Sequence, residues 1–76
     1  MKIAFQFPNG YRSDINKARE DGVFNEWVDG KFGERIRTLI GNDFVMTIDD
    51  GSFTVDFVYE DDGFAFLTLF GGRVIE

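Results

Sequence analysis

The sequence predicts an α+β fold: an N-terminal strand, one or two short helices, then an antiparallel three- to four-strand β-meander with helices packed on one face. Three observations lead there. Lys2–Phe7 alternates apolar and polar residues with period two. Lys31–Ile40 carries an apolar stripe at helical spacing. After residue 43, apolar runs are separated by Asp-Gly and Gly-Gly, the strongest short-range hairpin signals.

Each element follows in order. Ile3, Phe5 and Phe7 point one way from the first strand, and Pro8-Asn9-Gly10 ends it with turn chemistry. Ser13 or Asp14 can cap a short helix running to about Asp21, with Gly22 as its stop. Val23, Phe24, Trp27 and Val28 fit either a further helical turn or an irregular packed segment. In Lys31–Ile40, Phe32, Ile36, Leu39 and Ile40 fall at i, i+4, i+7 and i+8, and Gly41 suits the C-terminal end.

The meander is expected as Phe44–Ile48, Phe53–Tyr59, Phe64–Phe70 and a short Arg73–Ile75. Two-residue loops at Asp50-Gly51 and Asp62-Gly63 would put Phe44, Met46, Ile48, Phe53, Val55, Phe57, Tyr59, Phe64, Phe66, Thr68 and Phe70 on one face. The opposite face would carry Val45, Thr47, Thr54, Asp56, Val58, Glu60, Ala65, Leu67, Leu69 and Val74. That mixture is more apolar than an ordinary solvent face. It fits either partial cover by another segment or a partner surface rimmed by polar groups.

Composition bounds the function. The 76 residues are expected to form one domain, 1–76, and the ten Phe supply a dense aromatic core for so short a chain. With no cysteine and no histidine, a disulfide framework, Cys/His zinc sites and the commonest catalytic bases and nucleophiles are absent. Neither Ser13 nor Ser52 sits in a nucleophile elbow, and no glycine pattern forms a phosphate loop. These absences predict a protein that is not an enzyme and uses no cofactor. No apolar run is long enough for a membrane span, and the missing cysteines favour a reducing, cytoplasmic setting.

Charge is the remaining signal. Residues 1–41 hold seven Lys/Arg and six Asp/Glu; residues 42–76 hold one Arg and eight Asp/Glu. Asp43, Asp49, Asp50, Asp56, Glu60, Asp61 and Asp62 all fall within one 20-residue stretch. Such a surface repels nucleic acid and attracts a basic protein surface. The bland reading is solubility and protection of strand edges. The sharper one is carboxylates standing in for phosphates on a basic, nucleic-acid-handling partner. On that reading the partner-binding residues are Asp49, Asp50, Asp56, Val58, Glu60, Asp61, Asp62, Leu67 and Leu69. The profile of small size, acidity and no catalytic residues resembles the small acidic inhibitors that phages deploy against host nucleases, the anti-CRISPR and anti-restriction proteins. The resemblance implies an inhibitor or regulator acting by nucleic-acid mimicry. Two alternatives stand beside it. One is an assembly module forming a homodimer through Val58, Leu67 and Leu69. The other is a small calcium- or ligand-binding domain, although neither acidic turn has EF-hand spacing.

Overall fold

A computed structural model describes residues 1–76 and gives an α+β fold. Strands β1 (Lys2–Gln6), β2 (Phe44–Ile48), β3 (Ser52–Phe57) and β4 (Arg73–Val74) form one antiparallel sheet in the order β2-β3-β1-β4. Helix α1 spans Arg12–Glu20 and follows a 3-10 turn at Asn9–Tyr11. Helix α2 (Phe24–Val28) runs through a π turn at Asp29–Gly33 into α3 (Glu34–Leu39). Val28, Asp29, Gly33 and Glu34 all keep right-handed helical dihedrals, so these pieces form one continuous helix. Helix α4 spans Glu60–Leu69. No helix is long and apolar enough to cross a membrane.

The hairpin β2–β3 has the expected register. Phe44 pairs with Phe57, Met46 with Val55 and Ile48 with Phe53, and the Asp49 amide donates to the Ser52 carbonyl across the Asp50-Gly51 loop. All six apolar side chains therefore share one face. Strand β1 pairs with the other side of β3 and adds Ile3 and Phe5 to that face. The helices close over it. Ile3, Val28, Ile36, Phe53, Val55 and Phe66 lose all solvent contact, and Phe32 and Phe57 nearly all. Phe32 meets Phe5 and Phe53 at ring-centroid distances of 5.6 and 5.2 Å, and Phe66 reaches Phe57 at 5.6 Å. Such aromatic pairs contribute about 0.5–1.5 kcal/mol each beyond burial.

The π turn has a physical reason in the sequence. Val28, Phe32 and Ile36 are spaced by four, and on a 3.6-residue helix that spacing drifts around the axis. The wider π turn takes up the drift and keeps all three buried. It also brings Asp29 over Gly33, where a β-carbon would meet the Asp29 carboxylate at 2.6 Å. Arg37 completes the bridge, its guanidinium donating to Asp29 Oδ1 at 2.7 Å. The hydrogen bond from Arg37 holds the Asp29 carboxyl below the usual carboxylate range, while partial burial opposes it.

Four expectations change. The helix expected from Lys31 begins at Phe24, and Leu39 points outward instead of joining the stripe. Neither Ser13 nor Asp14 caps α1, whose N-terminal flank is Tyr11; Gly22, at φ 73°, does end it. Strand β3 stops at Phe57 instead of Tyr59. The largest correction concerns Phe64–Phe70, expected as a third meander strand. It lies in α4 and the residue after it. Gly63, Phe66, Leu67 and Phe70 fall at i, i+3, i+4 and i+7, and all four turn toward the core. The place beside β3 that the third strand would have filled belongs to β1.

Candidate partner-binding surface

The expected partner-binding residues fall in four places: the β2–β3 loop, the open face of β3, the β3–α4 junction and the last turns of α4. Asp49 and Asp50 stand exposed in the β2–β3 loop, at one end of the sheet. There the Arg19 guanidinium from α1 donates to the Asp50 carbonyl, so a cation accompanies this acidic pair. Asp56 lies on the open face of the sheet, the face without helices. Its carboxylate is 3.8 Å from the Met1 nitrogen, which itself donates to the Phe57 carbonyl at 2.9 Å.

Val58, Glu60, Asp61 and Asp62 gather at the opposite end, where β3 passes into α4. The length of β3 separates the two ends by about 20 Å. The Val58 amide donates to the Asp43 carbonyl at 3.0 Å, which brings Asp43 to this end. Tyr59 is extended, at φ −106° and ψ 132°, and its carbonyl accepts from the amides of Asp62 and Gly63. Glu60, Asp61 and Asp62 then form the first turn of α4, where the helix dipole favours negative charge. Gly63 is buried because the Met1 side chain occupies the space a β-carbon would take.

Asp43, Glu60, Asp61 and Asp62 form no ion pair, and neither do Asp49 and Asp50; the four in the molecule join Met1 to Asp56, Lys2 to Glu76, and Arg37 to both Asp29 and Glu34. The difference between the ends is that Arg19 reaches the backbone of the Asp49–Asp50 loop, while no basic side chain bonds to this one. Among its carboxylates stand Val58 and Tyr59, 69% and 56% exposed. Sequence reasoning missed Tyr59 by counting it into the apolar face of β3. Its signal was its place directly before three consecutive acids, the flank of an acidic helix start.

Leu67 and Leu69 do not belong to this surface. Two residues apart on a helix, they point to nearly opposite sides: Leu67 packs on the core and Leu69 is exposed. The shared face expected for Val58, Leu67 and Leu69, and with it the homodimer surface built from those three, is therefore not assembled. No buried side chain is polar or charged, and no group of three or more acidic residues is arranged to hold a metal ion. The cavities are shallow. One of about 470 Å³ is lined by Ala4, Phe5, Gln6, Ser52, Gly72 and Arg73, with Arg73 its single ionisable side chain.

No protein-family model, no curated protein and no solved structure matches this chain.

Proposed function

We propose that the protein is a non-enzymatic binding protein that inhibits or regulates a partner through the β3–α4 junction, and that the partner surface is basic and built to hold nucleic acid. One observation carries this reading: Asp43, Glu60, Asp61 and Asp62 stand together without a cation of their own, around exposed Val58 and Tyr59. Unpaired carboxylates keep their full field for a partner's Lys and Arg. An exposed tyrosine supplies the amphipathic anchor that protein interfaces favour. Clustered carboxylates can occupy a site made for phosphates, which is how nucleic-acid mimicry by phage-type inhibitors would operate. Such a partner places the protein in the cytoplasm and leaves it no direct affinity for nucleic acid.

The test is a titration of the isotope-labelled protein with a nona-arginine peptide, followed by NMR. The expected shifts centre on Asp43 and on residues 58–62, and fade as salt rises. Replacing Asp43, Glu60, Asp61 and Asp62 by their amides should abolish them, whereas Asp49→Asn with Asp50→Asn should leave them. Shifts centred on Asp49 and Asp50, or equal loss in both variants, would refute the assignment.

A further inference from the structure

The two edges of the sheet are built differently. The β4 edge is only two residues long and carries the charge of Arg73, with Glu76 two residues beyond it, which is how proteins blunt an edge. The β2 edge, Phe-Val-Met-Thr-Ile, runs five residues with no charge, proline or glycine.

The backbone of β2 shows which groups are free. In the ladder with β3, the Asp49 amide donates to Ser52 and the Val58 amide to Asp43, so the alternate residues Asp43, Val45, Thr47 and Asp49 turn their backbone groups inward. Phe44, Met46 and Ile48 turn theirs outward. The Phe44 amide is taken by the Asn42 carbonyl, but the amides of Met46 and Ile48 and the carbonyls of all three have no partner. The side chains of these three residues remain only partly buried.

We infer that the β2 edge accepts an added antiparallel strand from a partner, an extended segment with basic residues at both ends and apolar residues between. The flanking charges select this occupant. Asp43 and Asp49 bracket β2 on the open face of the sheet, about 20 Å apart, with Asp56 beside Val45 in the next strand. The basic groups near the strand are already engaged: Arg37, above Phe44, is held by Asp29 and Glu34, Arg19 by the Asp50 carbonyl, and Lys2, which shares the open face with Val45 and Thr47, by Glu76. A second copy fits badly. The antiparallel register that pairs all five residues sets Asp43 opposite the other copy's Asp49 at both ends, and like charges opposed across strands destabilise.

The pattern can be written out. Residues opposite Asp43 and Asp49 should be Lys or Arg. Those opposite Phe44, Met46 and Ile48 should be apolar, and those opposite Val45 and Thr47 can be β-branched. The capped heptapeptide Lys-Val-Thr-Val-Thr-Val-Lys meets each condition. This inference rests on the proposed basic partner and extends it from a patch to a mode of pairing, strand addition.

The experiment is amide exchange and chemical shift on the full chain with that peptide. At about 90% occupancy, the Met46 and Ile48 amides should exchange about tenfold more slowly. The same peptide N-methylated at its central Val cannot pair with Met46 and should give no protection, a comparison that leaves the protein unaltered. Three results would overturn the inference: protection confined to residues 58–62, equal binding of a Glu-flanked peptide, or protection of Met46 and Ile48 that grows with protein concentration alone and so reports a second copy. Each of these leaves the nona-arginine response intact, whereas loss of that response is what refutes the proposed function.

Discussion

The tripeptide Asp-Asp-Gly occurs twice, twelve residues apart, and folds in two different ways. Asp49-Asp50-Gly51 closes the hairpin between β2 and β3; Asp61-Asp62-Gly63 lies in the first turns of α4. The difference lies in the flanks. Around the first copy, Phe-Val-Met-Thr-Ile and Ser-Phe-Thr-Val are rich in β-branched and aromatic residues and alternate across the register. The second copy follows Glu60, so three carboxylates meet the positive end of a helix, and Phe66, Leu67 and Phe70 continue the stripe that starts at Gly63. The two glycines differ as well. A β-carbon on Gly51 would meet nothing within 4 Å, and its φ is not left-handed, whereas one on Gly63 would meet the Met1 side chain. The same three residues act as a solvated loop in one place and as a packed helix start in the other.

The largest test of that contrast uses the two phenylalanines after the second copy. On a strand, Phe64 and Phe66 would share a face and weigh alike. In α4, Phe66 has no exposure and Phe64 is 52% exposed. Phe66→Ala should cost about 3–5 kcal/mol, and Phe64→Ala no more than about 0.5 kcal/mol. Denaturant melts of the two variants read the difference directly; equal losses would return the segment to a strand.

The glycines give the next effect. Gly63→Val drives a branched side chain into Met1 and should cost about 1–3 kcal/mol from overpacking. Gly51→Val enters open space and should change stability by no more than about 0.5 kcal/mol. For a chain of this size, 1 kcal/mol moves Tm by about 4–8 °C, so calorimetry separates the two. Similar Tm values for both would mean that Gly63 is as free of contacts as Gly51.

Most of the layered architecture was legible in the sequence because its periods are unambiguous. The alternation in β1 and the β2–β3 register follow from side-chain spacing and an even loop length, and the structure keeps both. Phe64–Phe70 misled for a physical reason. In a seven-residue apolar run, Phe at 64, 66 and 70 satisfies period two, while 66, 67 and 70 satisfy the helical period. Runs this short carry both signals. The acidic turn before it, read as hairpin chemistry, is equally the preferred start of a helix. The error spread to the site: Leu67 and Leu69 entered the partner surface only through the strand that is absent, while Tyr59 was left out. Asp43, Glu60, Asp61 and Asp62 could be found as a charged stretch. That they form no ion pairs, while Asp50 has Arg19 at its carbonyl, depends on the packing of α1 against the loop and is not local information.

The smallest effect separates the carboxylates by what they face. Asp61 and Asp62 lie in the first turn of a ten-residue helix, and each should gain about 0.3–1 kcal/mol from the dipole at low ionic strength. Their mutual repulsion and that with Glu60 oppose this gain, so Asp61→Asn with Asp62→Asn should lower stability by less than the sum of two full dipole terms. Asp49 and Asp50 have no helix end to stabilise. Asp49→Asn with Asp50→Asn relieves their repulsion but also removes their attraction for Arg19, which sits at the Asp50 carbonyl, so the two effects oppose and stability should change by no more than about 0.5 kcal/mol. Salt separates electrostatic causes from contacts, because it screens dipole and repulsion alike at exposed sites. Raising ionic strength from about 0.01 M to about 1 M shortens the Debye length from about 30 Å to about 3 Å. The deficit of the α4 variant should shrink over that range, while any change in the loop variant also fades. Urea midpoints at the two ionic strengths provide the check. A deficit in the α4 variant that persists at high salt would mean that Asp61 and Asp62 support the helix through contacts, and not through its field.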